Sequence, residues 1–334
     1  MVKQYKVGFV YNVDRTGGLE DAEFDSPETL MGIKNAIEDG GHEIICIEAD
    51  QQIYNNLYGL KDKIDIIFNI AEGFFGDSRE SIFPIFFELL GIPYTGSGPE
   101  TLSLGLNKDA AKKVWISHKI PTPRFQTFTK IEELKDFNLN FPVIIKPVHE
   151  GTSKGITNDS YVENFQDLEQ KVKFIIKTYK QEADVEEFVN GREFTVGVLG
   201  NDPYIILPPV EIDFSYLPPH IHHFSSYEVK TTYDKPDSTV CPANITPNEE
   251  KKLQKVALEA YKKLNCRDFG RCDMRMDNKG KVYVIEINPL AGISFDPEVN
   301  HSFPKGAMTY GFTYSEMINE ILNNALKRYG MYKD

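Results

Sequence analysis

The segment covering residues 271–288 carries several side chains that could bind a metal ion and a phosphate. It reads RCDMRMDNKGKVYVIEIN, in which two alternating runs flank DNKG, a sequence typical of a β-hairpin turn. Side chains alternate between the faces of a strand, so one face of this hairpin collects the charged and amide groups. These residues are Arg271, Asp273, Glu286 and Asn288. Two carboxylates and an amide oxygen suit Mg²⁺, which usually bridges to substrate phosphates, although an exposed hairpin with an ordinary charge cluster gives the same pattern.

An even-length turn predicts the register of this hairpin. The expected cross-strand partners are Met276 with Lys281, Asp273 with Val284, and Arg271 with Glu286. Other segments must decide between a nucleotide site and an ordinary hairpin face.

A lysine in an apolar segment is a second candidate for phosphate contact. Residues 141–147 (FPVIIKP) predict a short buried strand with Lys146 near its end, and a buried ammonium group needs a partner or a path to water. A phosphate would be such a partner, whereas a lysine that reaches the surface from the strand end is the ordinary alternative. The next residues, 150–155 (EGTSKG), could bring backbone N–H groups close to a phosphate. This loop matches neither of the two commonest nucleotide-binding fingerprints, so alone it would indicate a plain glycine turn.

Two further segments could complete a nucleotide site. Residues 184–189 (DVEEFV) and 192–199 (REFTVGVL) predict successive strands. Acceptors such as Glu186 and Glu187 at a strand edge could hold adenine and ribose, although surface acidity accounts for them almost as well. Residues 220–238 follow no amphipathic period, which is typical of a lid over a site or of a disordered tract.

The elements that would position these groups alternate between strand and helix. In the first 98 residues, strands are expected at 6–11, 42–48 and 64–70. Ser26 can cap a helix whose first residue is Pro27. This alternation predicts an α/β fold with an open parallel sheet. Later helices are expected at 100–118, after the capping box of residues 246–249, and at 314–328.

Composition limits the class of protein. The chain has 334 residues and a net charge of -13, so nonspecific binding to nucleic acid, which needs clustered Lys and Arg, is not expected. No stretch reaches the ~18 apolar residues of a membrane span, and no secretory signal precedes the first strand. We therefore expect a cytoplasmic protein with no membrane partner. The four cysteines show no zinc-like spacing.

Taken in order, four motifs resemble those of the ATP-grasp ligases. They are LNKD around Lys108, IIKPVHEGTSKG, VEEFVNGREFTV, and RCDMRM followed by EIN. Within that superfamily the chain is most similar to the D-alanyl-D-alanine ligases, from the KVGFVYN strand through GIPYTGSG to EINPLAG. The resemblance implies an ATP-grasp fold of three α/β units, with ATP held between the second and third. The implied units are residues 1–98 (N-terminal), 99–188 (central) and 189–334 (C-terminal, with a lid at about 220–238 and the magnesium site).

The resemblance also implies roles for individual residues. Lys108 and Lys146 would contact phosphates, and the loop that contains Gly151, Thr152 and Ser153 would cover them. Adenine and ribose would be held by Glu186, Glu187, Phe188, Val189 and Glu193. Two Mg²⁺ ions, for which Mn²⁺ could substitute, would be bound by Asp273, Glu286 and Asn288. The implied catalytic residues are Arg271 and Gly292 at the tetrahedral intermediate, Glu23 near the amino group of the first substrate, Lys230 at the γ-phosphate, and Ser153.

The chemistry of such an enzyme follows from the poor leaving groups of a carboxylate. Transfer of the γ-phosphoryl group first makes an acyl phosphate, which an amine can then attack. Lysines and magnesium offset the charge on the phosphoryl group, and Arg271 offsets the oxyanion. A closed lid keeps water away from the acyl phosphate.

Several residues depart from the pattern of the D-alanine enzymes. Glu72 occupies the place of a histidine, and Thr231 stands where a lid tyrosine is usual, with Tyr233 nearby as a substitute. Pro297 replaces a serine that binds the carboxylate of the second substrate, and Glu298 follows it. Proline offers neither a hydroxyl nor an N–H, and a carboxylate repels a carboxylate in a dry site. These departures predict an acceptor other than a simple α-amino acid.

The sequence as a whole predicts an ATP- and Mg²⁺-dependent ligase that joins a small carboxylate to a small amine, and the resemblance implies a homodimer. D-alanyl-D-alanine ligase itself is the alternative enzyme, with neighbouring residues compensating for the departures. An ATP-grasp small-molecule kinase and a nucleotide-binding regulator without turnover also remain open.

Overall fold

The computed structural model describes residues 3–18, 21–235, 237–294 and 301–332. Its strands are β1 (Lys6–Tyr11), β2 (Glu43–Glu48), β3 (Ile66–Asn69), β4 (Phe125–Phe128), β5 (Val143–Pro147), β6 (Tyr161–Val162), β7 (Ala183–Glu187), β8 (Gly191–Gly200), β9 (Tyr204–Ile206), β10 (Val210–Ile212), β11 (Thr239–Val240), β12 (Phe269–Asp277) and β13 (Val282–Asn288). Its α-helices are α1 (Pro27–Asp39), α2 (Ile53–Leu60), α3 (Ile82–Leu90), α4 (Pro99–Leu106), α5 (Lys108–Ser117), α6 (Phe165–Tyr179), α7 (Tyr227–Thr231), α8 (Pro247–Lys263), α9 (Ser302–Tyr310) and α10 (Tyr314–Arg328).

The first sheet is parallel, as the alternating pattern predicted. β1 lies between β2 and β3 and pairs in parallel with both. The predicted cap of α1 is confirmed, because the Ser26 hydroxyl accepts a hydrogen bond from the backbone N–H of Thr29 at 3.2 Å. One core of this unit joins Phe9 and Ile33 to Ile321 of α10, so the N-terminal sheet packs against the C-terminal part of the chain.

The second sheet is antiparallel, in the order β4-β7-β5-β6, and α6 covers its apolar face. The helix expected at residues 100–118 is instead two helices, α4 and α5. Asn107 interrupts them with an extended backbone, and its side-chain oxygen accepts a hydrogen bond from Ala110 N at 2.8 Å. Asparagine favours such caps over helix interiors. The interruption makes Lys108 the first residue of α5.

The third sheet has the order β11-β10-β8-β12-β13, with β9 paired to β8, and α8 packs on it. The predicted register of the β12–β13 hairpin is wrong. Met276 lies opposite Val282, Asp273 opposite Glu286, and Arg271 opposite Asn288.

Two local irregularities explain the difference in register. Asp277 N donates to Lys281 O at 3.0 Å, so the loop has an odd number of residues, and Gly280 closes it with a left-handed φ of 74°. A β-bulge between Asp273 and Met274 then adds a second offset. A register shift of one residue alone would turn Glu286 and Asn288 away from the face that carries Arg271 and Asp273. The second shift returns all four side chains to one face, as predicted.

The segment expected to lack regular structure contains the short helix α7. Ser226 caps it by accepting a hydrogen bond from Val229 N at 3.2 Å. Around it, a small hydrophobic cluster of Phe214, Leu217, Ile221 and Val229 holds the segment together. Over the described ranges, none of the helices combines the length and the apolar character that a membrane span requires.

Candidate active site

The three sheets surround a cavity of about 550 Å³. Most residues that the sequence singled out line this cavity: Glu23, Lys146, Thr152, Ser153, Glu186, Glu187, Phe188, Val189, Glu193, Lys230, Arg271, Asp273, Glu286, Asn288 and Gly292. Lys108 and Gly151 do not line it directly but contact residues at its edge. The structure therefore brings the separate sequence motifs together at one place.

The metal-type face of the hairpin lies along one wall. Asn288 Nδ2 donates to Asp273 Oδ2 at 3.1 Å, and Asp273 is directly opposite Glu286. Among the described residues, neither the Glu286 carboxylate nor the Asn288 amide oxygen accepts a hydrogen bond. Free oxygen acceptors beside an ionised carboxylate are the donor set that Mg²⁺ prefers, so these residues fit the ion.

Arg271 is fixed at the same wall by two hydrogen bonds. Its Nε and Nη2 donate to the two carboxylate oxygens of Asp273, both at 3.0 Å. Burial would raise the pKa of Asp273, but Arg271 lowers it below its ordinary value, so the carboxylate stays ionised. Among the described residues Arg271 Nη1 has no acceptor, which leaves one donor of the guanidinium for a ligand.

Lys146 belongs to a buried network of charges. Its ammonium group donates to Glu186 Oε1 at 2.9 Å, and the same carboxylate contacts Lys112, which also contacts Asp184. Burial would raise the pKa of Glu186, but the ammonium groups of Lys112 and Lys146 lower it well below its ordinary value. Glu186 therefore positions a lysine at the cavity, and its carboxylate is not free to contact adenine.

Lys108 approaches the metal-type face from α5. Its ammonium group donates to Glu150 O at 2.5 Å and lies 3.8 Å from Glu286 Oε2. Burial lowers its pKa, and Lys146 and Lys112 lower it further. The two lysines thus place positive charge at one end of the cavity.

The loop after β5 presents backbone donors at the same end. Thr152, Ser153 and Gly155 have left-handed φ angles of 46°, 58° and 76°. A turn that contains such angles can present backbone N–H groups on one concave side, which binds anions. Within the described part of the chain, none of these three N–H groups has an acceptor. The loop can therefore receive a phosphate without first breaking its own hydrogen bonds.

An apolar slot lies beside this loop. Ile144, Ile156 and Phe224 form a small buried cluster, and Phe188 packs against it. Val189 N, two residues after the end of β7, donates to no described residue. A slot with an apolar floor and a free backbone donor can hold a planar heterocycle.

The lid segment contacts both the phosphate loop and β8. Ser225 Oγ donates to Glu193 Oε1 at 2.5 Å, and Ser225 O accepts a hydrogen bond from Ser153 Oγ at 2.8 Å. Lys230 of α7 reaches the cavity. The hydroxyl group of Thr231 instead donates to Tyr227 O at 2.8 Å.

The opposite wall is built by the N-terminal unit. Arg79 grips both carboxylate oxygens of Glu23, at 2.6 and 3.1 Å, and donates to His149 O at 2.9 Å. Gly151 N donates to Glu23 Oε1 at 3.0 Å, so Glu23 also anchors the start of the phosphate loop. Lys154 lies 3.7 Å from the same carboxylate.

The residues that depart from the family pattern lie in different parts of the chain. Glu72 lines the cavity. Tyr233 packs against the hydrophobic cluster of the lid and is not among the described residues that line the cavity. Tyr216 lines the cavity instead. Pro297 and Glu298 lie outside the described residues.

The residues of the site that the sequence interpretation did not single out include Asp25, Arg79, Lys112, Arg275 and His301. Arg275 continues the two-residue period of the hairpin face, and its bond to Glu193 at 2.6 Å could have been anticipated from that period. Lys112 lies four residues after Lys108, on the same face of α5. Arg79 and His301 have no comparable signal, because only the tertiary fold brings them to the cavity.

A family model described as "D-ala D-ala ligase C-terminus" matches residues 114–323, more than half of the chain. The chain is also 34% identical over 300 residues to protein y4sG of Sinorhizobium fredii, covering 88% of this chain and 86% of that relative. To the D-alanine–D-alanine ligase of Carboxydothermus hydrogenoformans it is 31% identical over 316 residues, covering 92% of this chain and 95% of that enzyme.

Solved structures of similar fold extend the comparison. The D-alanine–D-alanine ligase from Bacillus anthracis complexed with ATP has a TM-score of 0.74 at 21% identity, covering 98% of this chain and 99% of that chain. The VanG D-Ala:D-Ser ligase from Enterococcus faecalis has a TM-score of 0.73 at 24% identity, covering 97% and 100%. These likenesses show the ATP-grasp fold. Together with the family match, they establish that this chain belongs to the D-alanine–D-alanine ligase family of ATP-dependent, ADP-forming ligases.

Proposed function

We propose that this chain is an ATP- and Mg²⁺-dependent ligase that joins a small carboxylate to a small amine through an acyl phosphate. The observation that carries the proposal is the arrangement of one cavity. At one end of the cavity, the lysine and backbone N–H groups that suit phosphates lie beside Arg271 and the hairpin face that suits Mg²⁺. A protein that only bound nucleotide would not need the free Arg271 donor in addition to the groups that hold the phosphates.

The residues around the loop hold the nucleotide. Lys108, Lys146 and the N–H groups of Thr152 and Ser153 receive the phosphates, with Gly151 and Glu23 fixing the loop. Adenine and ribose lie along the segment from Glu186 to Val189 and at Glu193, with Glu186 acting through Lys146. Glu187 contributes through its backbone, because its carboxylate already accepts a hydrogen bond from Arg124 at 2.8 Å.

Asp273, Glu286 and Asn288 hold Mg²⁺, which neutralises phosphate charge when bound. Arg271 Nη1 and the backbone at Gly292 face the position where a tetrahedral oxyanion develops, and preorganised donors there lower the barrier. Lys230 and Ser153 complete the site from the lid and the loop. Glu23, whose carboxylate is held by Arg79 and Gly151 N, helps to orient the amino group of the first substrate by fixing the wall beside it. We assign the unit boundaries to residues 1–98, 99–188 and 189–334.

The protein also forms a homodimer in this proposal. Five apolar side chains on adjacent helices form an exposed patch, called the α2–α3 patch: Tyr54, Tyr58, Ile82, Ile85 and Leu89, between 37% and 68% exposed. Contiguous apolar surface of this kind is typical of protein interfaces. A second copy of the same chain would cover it symmetrically.

A screen for ADP release tests the proposed function. Purified protein with ATP and Mg²⁺ is mixed with pairs of carboxylates and amines, and every active mixture is analysed by mass spectrometry. An amide product accompanied by ADP and phosphate supports the ligase. A phosphorylated product without an amide indicates a kinase, D-alanyl-D-alanine as the preferred product indicates the ordinary family reaction, and ATP binding without turnover indicates a regulator.

A further inference from the structure

Two carboxylates that line the cavity, those of Glu72 and Asp25, have no partner among the residues that the structure describes. Within the described ranges, neither Glu72 nor Asp25 accepts a side-chain hydrogen bond or forms a salt bridge, although both line the cavity. Three other acidic side chains that line the cavity are each paired with an arginine: Glu23 with Arg79, Glu193 with Arg275 and Asp273 with Arg271. Burial favours the protonated form of such carboxylates, and a cationic ligand group would take the place of that proton and pair with the carboxylate.

The backbone presents both carboxylates in fixed positions. The N–H groups of Glu72 and Gly73 donate to Asn12 Oδ1 at 3.0 and 3.1 Å. The carbonyl oxygen of Asp25 accepts a hydrogen bond from Asp14 N at 2.9 Å, just before the cap of α1. Rigid backbone on both sides is what a recognition site requires.

The charges around these two groups are mostly negative. Burial raises the pKa of Glu72, and Glu80, Glu23 and Asp25 raise it further, whereas Arg79 lowers it. That guanidinium already holds Glu23. A positively charged ligand group would be attracted to this wall.

The neighbouring His301 does not supply the missing cation. Burial, and to a smaller extent the positive charge of Arg271, lower its pKa to about 4, so the imidazole is neutral near pH 7. Lys154, on the loop, is 3.7 Å from Glu23 and is directed to that carboxylate. Neither His301 nor Lys154 forms an ion pair with Glu72 or Asp25, so both carboxylates are open to a positively charged group of the substrate.

We propose that Glu72 and Asp25 bind two cationic nitrogens of the carboxylate substrate, which is therefore an amino acid with a second cation on its side chain. The inference rests on the proposed ligase function and names its substrate class. An amino acid with a neutral side chain leaves one carboxylate unpaired, and an acid without an amino group leaves both unpaired. Either defect costs affinity and turnover.

The test compares near-isosteric substrate pairs that differ by one charge. 2,4-Diaminobutyrate is compared with norvaline, and ornithine with norleucine, each as both enantiomers. Hydroxylamine serves as the amine, because it attacks the acyl phosphate to give a hydroxamate and phosphate without knowledge of the natural acceptor. The diamino acid of each pair is expected to have a kcat/KM about tenfold or more above that of its neutral isostere.

Three variants assign the preference to the two carboxylates. Glu72→Gln and Asp25→Asn should each reduce the discrimination about tenfold, whereas Glu72→Asp should retain part of it. Glu169→Gln removes the same charge from an exposed position on α6 and should change nothing. Thermal unfolding of each variant checks that the fold is intact.

Direct binding separates this inference from the proposed function. Calorimetric titration of the same amino acids into protein with a non-hydrolysable ATP analogue does not depend on turnover. Preference for the diamino acid in this titration, lost in Glu72→Gln, upholds the inference even if no hydroxamate forms, in which case the ligase proposal fails. Hydroxamate formed equally from both members of each pair, or a preference that persists in both carboxylate variants, overturns the inference and leaves the ligase proposal standing.

Discussion

Arg79 and Glu23, both from the N-terminal part of the chain, form a buried bidentate ion pair beside the start of the phosphate loop, with N···O distances of 2.6 and 3.1 Å. The side chains are 8% and 7% exposed. Glu23 also accepts the N–H of Gly151, so the substrate wall and the phosphate loop share one anchor. A change at this pair should therefore affect both the stability of the fold and the nucleotide site.

Replacing Arg79 with alanine leaves Glu23 buried without its main partner. Loss of one member of a buried pair costs about 3–5 kcal/mol, so Arg79→Ala should lower the free energy of unfolding by that order. The matched control is Arg15→Ala, since Arg15 makes a bidentate pair with Glu48 at the surface, where little stability is lost. Denaturant titration measures both variants, and equal losses would contradict a special role for the buried pair.

Asp25 should make stability depend on pH. Burial raises its pKa from 3.8 to about 7, so between these values the folded protein keeps a proton that the unfolded chain releases. Stability therefore falls as pH rises through this range, and the loss is complete above the folded pKa. Asp25→Asn cannot ionise. The Tm of this variant minus the Tm of the unmodified protein should therefore increase by roughly 2 °C or more as the pH rises from about 4 to about 8. For exposed Asp62→Asn the difference should stay flat, and a flat difference for Asp25→Asn would refute the shift.

Lys230 on α7 should act in phosphoryl transfer more than in nucleotide binding. We expect Lys230→Ala to lower turnover by roughly 100-fold, the effect of removing one preorganised charge, while the Kd for ATP changes little. Lys173→Ala, an exposed lysine of α6, is the control. Hydrogen exchange in residues 220–235 should slow once nucleotide and substrate are both bound. Exchange that is equally slow in the free protein would argue against a lid.

The α2–α3 patch should hold the homodimer together. Ile85→Glu combined with Leu89→Glu puts charge on this exposed apolar surface, and the protein should then sediment as a monomer. Ile116→Glu, at a 54% exposed position on α5, should leave the dimer intact. A double variant that remains dimeric would place the interface elsewhere.

Local signals made much of the fold predictable. The cap at Ser26, the capping box of α8 and the bounds of α10 agree with the sequence patterns, because each depends on a few neighbouring side chains. The hairpin register failed for the opposite reason. The left-handed Gly280 and the bulge after Asp273 are set by how the strands meet, which periodicity does not reveal.

The site was predictable where its residues repeat along an element. The hairpin face and Lys146 follow from strand periodicity and from an unexpected charge in an apolar run. Arg79 and His301 come from distant segments and meet the cavity only through packing. The same limit applies to the unmatched state of Glu72, since a sequence cannot show which carboxylates find a partner.

The fate of an oxygen atom tests the central claim most directly. When a carboxylate labelled with ¹⁸O is converted to an acyl phosphate and an amine then displaces the phosphate, one carboxylate oxygen must leave with phosphorus. We predict that each amide formed is accompanied by one ADP and one inorganic phosphate that carries one ¹⁸O, measured by ³¹P NMR and mass spectrometry. Amide formation with unlabelled phosphate, or ADP release without any amide, would contradict a carboxylate–amine ligase that works through an acyl phosphate.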